Sequence, residues 1–269
     1  MKLGISIRNM GPQSSRSIIT DCAVAADKAG LDSLWITEHI AIPPDDAQGS
    51  GGRYLDPLIT LSYLAAKTER IKLGTGVLIL PYRPPLVTAK LIATLQELSE
   101  GRVKLGVGIG WMRSEFKALG LDLHKRVSDS ERVLRFLHEA FENHIVSQND
   151  QPFIFSPRPV RPTILMGGAA PHAIRRAVKL ADGWMPMGLK PEILAPLAKD
   201  YREQAATAGK PDPEIVVFSG LPLANVQQCE DRMHAYREAG ATTLIHGQRY
   251  DESSELIESI GRLGELPPS

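Results

Sequence analysis

Short apolar runs alternate with apolar stripes at helical spacing from the first residues of the chain onward. Residues 3–8 form an apolar run of strand length. The next stripe has the spacing of an amphipathic helix and consists of Ile18, Ile19, Cys22, Ala26 and Ala29. Gly30 is a typical end of such a helix, and a second apolar run begins at Ser33. The pattern therefore predicts a strand, a helix and a second strand.

The same alternation continues along the chain and predicts about eight strand–helix units. The predicted strands cover residues 3–8, 33–37, 71–77, 103–110, 163–166, 184–187, 215–221 and 242–246. The predicted helices cover residues 15–30, 56–70, 86–98, 128–144, 171–181, 192–208, 226–238 and 253–263. Asp56-Pro57 marks one helix start, and Ser128 with Glu131 forms a capping box at another. Four prolines predict a long loop over residues 145–162.

The joints between predicted helices and strands resemble one another. Residues 28–34 and 238–244 match in type position by position, and in both a glycine ends the helix. About eight such units make a closed (β/α)₈ barrel, the TIM barrel, and we predict this α/β fold as a single domain over residues 1–269. A doubly wound sheet is the alternative. Its GxGxxG motif is missing after the first strand, where Gly11-Pro12 stands instead.

Composition narrows the classes of function. The chain has 269 residues with 31 Lys+Arg and 31 Asp+Glu, and this zero net charge argues against a nucleic-acid partner. Two cysteines without a CxxC pair provide neither a disulfide framework nor a zinc motif. No apolar run is long enough to span a membrane, and the first residues enter a strand without signal-peptide features. We therefore expect a cytoplasmic protein with no membrane and no nucleic-acid partner.

A glycine-rich turn follows the fifth predicted strand, where a barrel carries its functional residues. It consists of Gly167, Gly168, Ala169 and Ala170, and a helix begins directly after it. Small residues let an anion approach the backbone, and the start of a helix directs N–H groups and a positive dipole toward it. The turn therefore predicts a phosphate site. A tight turn selected only for packing is the alternative interpretation.

An acid and an imidazole, Glu38 and His39, follow the second predicted strand. A histidine at the mouth of a barrel can exchange a proton near neutral pH or form a hydrogen bond to a cofactor carbonyl. No second His or Cys lies at metal-ligand spacing, so we predict no metal site. A loop histidine with satisfied hydrogen bonds and no catalytic role is the alternative.

Small residues alternate at the end of the fourth predicted strand, at Gly106, Gly108 and Gly110, with Ile109 between the last two. Trp111 occupies the position of the third glycine of the nucleotide motif, so the run does not fit the Rossmann pattern. We expect these glycines to leave room for a flat ligand inside the barrel mouth. No nucleophile motif stands out, which indicates that a cofactor carries the chemistry.

Several segments in order resemble the luciferase-like monooxygenase superfamily. They are DPL at 56–58, LAAKTERIKLGTGV at 64–77, LPYRPP at 80–85, AK at 89–90, LSEGR at 98–102, LGVGIGW at 105–111 and ADGW at 181–184. The match runs from residue 3 to about 186 at the spacing of the family, and the short branch of F420-dependent oxidoreductases is the most similar. Beyond residue 192 the resemblance extends only to the fold.

The resemblance implies a TIM-barrel oxidoreductase or monooxygenase that binds reduced FMN or the deazaflavin coenzyme F420 and acts on a small-molecule substrate, as a homodimer. It further implies that the Gly76–Val77 peptide is a non-prolyl cis bond against the flavin ring. The resemblance assigns a catalytic role to His39. It assigns cofactor binding to Glu38, Thr75, Gly76, Val77, Ile109, Gly110, Trp111, Gly167, Gly168, Ala169 and Ala170.

Two departures from the family leave alternatives open. Trp111 stands where the F420-dependent glucose-6-phosphate dehydrogenases carry a catalytic Glu, and Pro43 stands where they carry a Trp. Activity on a sugar phosphate is therefore not expected. A flavin-binding accessory protein without turnover is one alternative function. A sugar-phosphate isomerase or aldolase is another, but it would need a Lys or Glu at the end of a strand.

Overall fold

Strands and helices follow one another in the order that the apolar pattern predicts. The computed structural model describes residues 1–266. Within them the strands are β1 (Lys2–Ser6), β2 (Ser33–Ile36), β3 (Lys72–Ile79), β4 (Val103–Gly108), β5 (Ile145–Gln148), β6 (Gln151–Ile154), β7 (Thr163–Gly167), β8 (Gly183–Met185), β9 (Glu214–Ser219) and β10 (Thr243–His246).

The α-helices of the same residues alternate with the strands. They are α1 (Arg16–Lys28), α2 (Pro57–Ala65), α3 (Pro85–Leu98), α4 (Arg113–Ala118), α5 (Arg126–Glu142), α6 (His172–Leu180), α7 (Pro191–Thr207), α8 (Val226–Glu238) and α9 (Ser253–Glu265). The caps follow the sequence at two of the predicted starts. Ser15 Oγ accepts from the Ile18 N–H and Asp56 Oδ1 accepts from the Ile59 N–H. No helix within residues 1–266 is both long and apolar enough to cross a membrane.

Eight of the strands run parallel and close into a barrel in the order β1-β2-β3-β4-β7-β8-β9-β10. Closure joins the first strand to the last, with Lys2 opposite Thr243 and Ile5 opposite His246. Because every strand then has a neighbour on both sides, no backbone edge of the sheet is left unpaired. The predicted (β/α)₈ barrel is confirmed, and all strands end at the same rim.

The strands of the barrel are largely apolar on both faces because they separate two layers of packing. Outward side chains such as Leu34, Leu73 and Leu105 belong to a large core under the helices. Inward side chains form a second cluster, which contains Trp35, Leu165, Met185, Val216 and Ile245. Parallel strands that are buried on both faces have such continuous apolar runs. These runs therefore indicate that a strand is buried, but they do not tell which of its side chains point into the barrel.

One predicted loop contains regular structure. Residues 145–162 are not a loop throughout, because β5 and β6 pair antiparallel as a hairpin with Ile145 opposite Ile154. Asn149 and Asp150 supply the two left-handed residues that a tight hairpin turn needs. Pro152 is tolerated because both strands of a two-stranded hairpin are edge strands.

The predicted start of α5 at Ser128 is also wrong. The helix begins two residues earlier, at Arg126, because a 3₁₀ turn over residues 123–125 runs directly into it. The Ser128 hydroxyl donates to the carbonyl of Lys125 at 2.9 Å instead of capping the helix. The short helix α4, which follows β4, was not predicted.

Inside the barrel, Gly74 and Trp35 are tightly packed, and this contact allows a test of the fold. A Cβ at position 74 would lie 2.3 Å from two atoms of the Trp35 ring, which is fully buried. We expect Gly74→Ala to lower the free energy of unfolding by about 1–3 kcal/mol, the usual cost of overpacking, as measured by urea denaturation.

Gly261→Ala is the matched control. Gly261 lies in α9 with nothing within 4 Å of its missing Cβ, so alanine there is expected to raise stability by about 0.5–1 kcal/mol through helix propensity. A Gly74→Ala protein as stable as the wild type would contradict the packing of Trp35 against β3.

Candidate active site

A cavity of about 520 Å³ opens at the rim where the strands end. Nine of the predicted site residues line it, namely Glu38, His39, Gly76, Val77, Ile109, Gly110, Trp111, Gly167 and Gly168. Ala169 and Ala170 lie beside it, on a neighbouring cavity of about 400 Å³ that also includes Gly168. Thr75 lines neither cavity. Its buried hydroxyl donates to the carbonyl of Gly106 at 2.7 Å and so links β3 to β4.

Val77 and three glycines form the floor of the cavity. The Gly76–Val77 peptide is cis, as the resemblance implies, and the pairing of β3 with β4 shifts between Thr75 and Leu78. A Cβ at Gly108 would lie 2.6 Å from Val77 Cγ2, and one at Gly167 would lie 2.7 Å from Val77 Cγ1. Only residues without a side chain fit at these two positions beside Val77.

A buried carboxylate holds His39. Nδ1 of His39 lies 2.9 Å from Oε2 of Glu115, whose side chain is fully buried. The Tyr54 ring meets the imidazole edge-on at 5.0 Å between centroids, and the Trp111 ring does so at 6.1 Å. Trp111 is 71% exposed, so this large apolar side chain stands at the mouth without cover.

Glu115 accepts hydrogen bonds from three further donors. The backbone N–H groups of Ile40 and Ala41 donate to Oε1 at 2.6 and 3.0 Å, and the Tyr82 hydroxyl donates to Oε2 at 2.8 Å. Burial alone would raise the pKa of Glu115, but the hydrogen bonds from His39, the two amides and Tyr82 lower the pKa to about 2. Glu115 is therefore an acceptor only, and His39 must carry its hydrogen on Nδ1.

Sequence reasoning missed Glu115. The resemblance drew attention to the position of Trp111, where the related dehydrogenases carry a Glu and this chain does not, whereas the carboxylate comes four residues later, from α4. A helix of six residues is too short for a periodic pattern. The available signal was a lone acid between Met112 and Phe116, both of which are buried. An acid among apolar neighbours needs hydrogen-bond partners when it is buried.

The carboxylate of Glu38 is occupied by protein groups. It accepts from the Ile79 N–H and pairs with Arg83, which also pairs with Asp56. Burial raises the pKa of Glu38 to about 6, although Arg83 acts in the opposite direction. Glu38 lines the cavity, but its charge serves to fix the strand end that carries His39.

The glycine turn lies beside two arginines. Gly168 has a φ of +125°, and its N–H is used by the carbonyl of Met185, so the turn offers fewer free N–H groups than the sequence predicts. Arg176 reaches the turn, with Nη2 4.0 Å from the position of a Cβ on Gly168, and its buried Nε has no partner. Arg126 lines the main cavity. Arginine side chains supply much of the positive charge here.

Few polar groups line the cavity. Among residues 1–266 no three His, Cys, Asp or Glu side chains are grouped so that they could hold a metal ion. The polar groups that line the cavity include the imidazole of His39, the carboxylate of Glu38 and the guanidinium of Arg126, and Arg176 lies beside the glycine turn. An anionic ligand with an apolar, flat portion would match them.

The sequence has curated relatives. An uncharacterised protein of Mycobacterium tuberculosis is 31% identical over 248 residues, which cover 84% of this chain and 83% of the relative. An F420-dependent glucose-6-phosphate dehydrogenase of Nakamurella multipartita is 32% identical over 216 residues, covering 74% of this chain and 61% of that enzyme.

Solved structures share the fold at low identity. The monooxygenase RslO1 from Streptomyces bottropensis superimposes with a TM-score of 0.82 at 19% identity, covering 98% of both chains. An F420-dependent secondary alcohol dehydrogenase with an F420–acetone adduct gives 0.80 at 16%, covering 99% of this chain and 98% of that one. The oxygenating constituent of 3,6-diketocamphane monooxygenase from Pseudomonas putida, with FMN, gives 0.79 at 16%, covering 98% and 97%.

The family model described as luciferase-like monooxygenase matches residues 1–265 of this chain. That match extends beyond residue 192, where sequence reasoning found only a similarity of fold. The chain belongs to the luciferase-like monooxygenase family.

Proposed function

We propose that this protein is an oxidoreductase that uses reduced F420 or FMN to transfer hydride to, or insert oxygen into, a small organic substrate. The observation that carries the proposal is the His39–Glu115 pair, which lies at the edge of an apolar cavity with a glycine floor. Such a pair can hold or move a proton, and two of the fold relatives named above were solved with F420 or FMN bound.

The residues around the cavity fit a phosphorylated flavin or deazaflavin. The unpartnered Nε of Arg176 can donate to a phosphate oxygen beside Gly168. The floor of Gly76, Val77 and Gly108 carries no bulky side chain except that of Val77, which suits a flat ring system. When bound, the reduced cofactor supplies the hydride, or the electrons for activating oxygen.

The role of His39 follows from its hydrogen bond to Glu115. The carboxylate fixes the imidazole with a hydrogen on Nδ1 and stabilises the ring when it carries a positive charge. Nε2 is then the ring nitrogen that can give a proton to a substrate oxygen, or take one from it. The apolar faces of Tyr54 and Trp111 restrict how the ring can turn.

Contacts at the cavity and at the opposite end of the strands also argue against the two alternative functions, an accessory protein and an isomerase or aldolase. An accessory protein without turnover was suggested by a lack of acid–base groups, and Glu115 with His39 supplies such a pair. An isomerase or aldolase would need a free lysine or glutamate at a strand end, and the carboxylates of Glu38 and Glu115 are both held by protein donors. Lys72 pairs with Asp32, and Lys104 pairs with Glu214, both at the opposite end of the strands.

We propose further that the enzyme works in the cytoplasm as a homodimer. Composition favours a location in the cytoplasm, and the family resemblance favours a homodimer. Ile59 on α2 and Val87 on the adjacent α3 are exposed apolar side chains, which a second protomer could cover.

Titration with FMN and F420 tests the proposed cofactor class. We expect at least one of them to bind with a Kd below about 100 μM, that is, more tightly than about −5.5 kcal/mol. Arg176→Gln is expected to weaken that binding about 10–100-fold, the effect of a lost charged hydrogen bond. Fluorescence titration gives both values.

Two controls make this titration specific. Riboflavin, or the deazaflavin without its phosphate, should bind the wild type and Arg176→Gln equally. Arg175→Gln should bind as the wild type does, because Arg175 is an exposed neighbour that contacts His172. Failure of both phosphorylated cofactors to bind would exclude the proposed function.

His39→Ala is expected to lower turnover about 10²–10⁴-fold, the usual contribution of a general acid–base group, with cofactor affinity little changed. Turnover is measured with a substrate found by screening small organic compounds against the reduced cofactor that binds. His234→Ala, at an exposed position on α8, is the control. If His39→Ala turns over nearly as fast as the wild type, His39 has no catalytic role and is a structural residue of its loop.

The low pKa of Glu115 predicts how stability depends on pH. Because the folded-state pKa is about 2 and the ordinary value is 4.5, the charged carboxylate stabilises the fold above pH 4.5, and this contribution is lost as pH falls toward 2. It amounts to about 3 kcal/mol. Glu115→Gln should therefore be about 3 kcal/mol less stable than the wild type at pH 7, with a smaller difference at pH 3.5.

Urea denaturation at several pH values measures both proteins. Glu97→Gln, on the exposed side of α3, controls for the substitution itself. A difference between wild type and Glu115→Gln that stays constant from pH 7 to pH 3.5 would show that the carboxylate is not held in the charged form.

A further inference from the structure

A second cavity of about 520 Å³ lies on the same rim of the barrel, and none of its lining residues lines the first cavity. Its walls come from the segment after β1, from the loop before α2 and from the segment after β10. Asn9 stands between the two cavities, and its side chain amide donates to the carbonyls of Thr37 and Leu55, both at 2.8 Å. The second cavity is therefore a separate feature of the mouth.

Three arginines, Arg8, Arg53 and Arg249, line this cavity together with a single carboxylate, that of Asp251. None of the three forms an ion pair within the described part of the chain. Arg8 Nη2 donates to the carbonyl of Gly49, and Arg53 Nε donates to the hydroxyl of Ser14. Their charges are therefore not neutralised by the protein, in a chain whose net charge is zero.

Two buried polar atoms of this cavity lack a hydrogen-bond partner. They are Nε of Arg8 and Oε1 of Gln13, which is 6% exposed. Nε2 of Gln13 donates to Oδ1 of Asp251, and a carboxylate cannot donate in return, so the amide orientation is fixed and Oε1 is left as an acceptor. A buried donor and a buried acceptor without protein partners are costly unless a ligand or water satisfies them.

The protein holds Arg8 in place before any ligand binds. Its backbone N–H donates to the hydroxyl of Tyr250 at 2.9 Å, and Tyr250 is 3% exposed. Gly49, with a φ of +81°, turns its carbonyl toward the guanidinium group. An arginine that is already ordered loses less entropy on binding an anion.

We propose that this cavity binds a small oxyanion that also carries a hydroxyl group, as hydrogen phosphate and α-hydroxycarboxylates do. The oxyanion would accept from Arg8 Nε, and the three guanidinium charges would offset its negative charge. The hydroxyl would donate to Gln13 Oε1. The proposal does not depend on the oxidoreductase function, since it involves none of the residues of the first cavity.

The test is an NMR titration of protein labelled with ¹⁵N-arginine, at constant ionic strength and in the Arg176→Gln background, so that anions at the glycine turn do not contribute. The probes are phosphate, glycolate, sulfate and acetate. We expect a saturable shift of the Arg8 Nε–H signal with phosphate and glycolate. Sulfate should bind at least fivefold more weakly than phosphate, and acetate at least fivefold more weakly than glycolate, because both lack the hydroxyl donor.

Two variants and one control complete the experiment. Arg8→Gln should weaken binding of phosphate about tenfold or more, as followed by the shifts of Arg53 and Arg249. The Gln13→Met protein should still bind anions, but it should bind glycolate and acetate with about the same affinity. This variant tests the proposal if Arg8→Gln does not fold. Arg237→Gln, at an exposed position on α8, should change nothing.

Each possible result bears on the proposal. No saturable shift with phosphate or glycolate, or unchanged affinity in a folded Arg8→Gln protein, would exclude the site. If the wild-type protein binds anions with and without a hydroxyl group with equal affinity, the proposed class of ligand is excluded. A response to phosphate alone would identify a phosphate site, and a response to glycolate alone a hydroxy-acid site. Failure of FMN and F420 to bind would leave all of these results unaffected.

Discussion

Every strand of the closed barrel has a hydrogen-bonded neighbour on each side, and this condition organises the molecule. β1 satisfies it by pairing with β10, more than 230 residues away in the chain. Once the sheet is closed, all eight strands must end at one rim, and the segments that follow them meet there. Both cavities consist of such segments. Their side chains come together because of barrel closure and not because of nearness in sequence.

Two buried carboxylates at this rim show how hydrogen-bond donors determine the pKa of a buried acid. Glu38 and Glu115 are both buried, yet the pKa of Glu38 is raised to about 6 and that of Glu115 is lowered to about 2. Glu115 accepts four hydrogen bonds from His39, Tyr82 and two amides, whereas Glu38 relies mainly on Arg83. Desolvation penalises both charges, and the number of donors determines which carboxylate overcomes the penalty. The acid that orients His39 therefore stays ionised to a lower pH than Glu38 does.

The sequence predicted those parts of the fold and site that depend on local pattern. Apolar runs located the strands, and the rule that barrels act at strand ends located His39 and the turn at Gly167 and Gly168. Glu115 was missed because its position depends on a short helix and on the fold of a loop 75 residues earlier. The hairpin β5–β6 was missed because prolines suggested a loop, although edge strands accept them. The arginine cavity was missed because its members are spread from Arg8 to Arg249.

The glycines around Val77 limit how the protein can change over evolutionary time. A side chain at Gly108 or Gly167 would have to displace Val77, and one at Gly76 would have to displace Phe218, whose Cζ lies 2.5 Å from the missing Cβ. No single substitution that adds a side chain at these positions can leave the floor intact. Exposed rim residues such as Ile40 and Met187 face no such restriction. New substrate preferences are therefore expected to arise by mutation of the loops, while the floor proposed to lie beneath the cofactor stays the same.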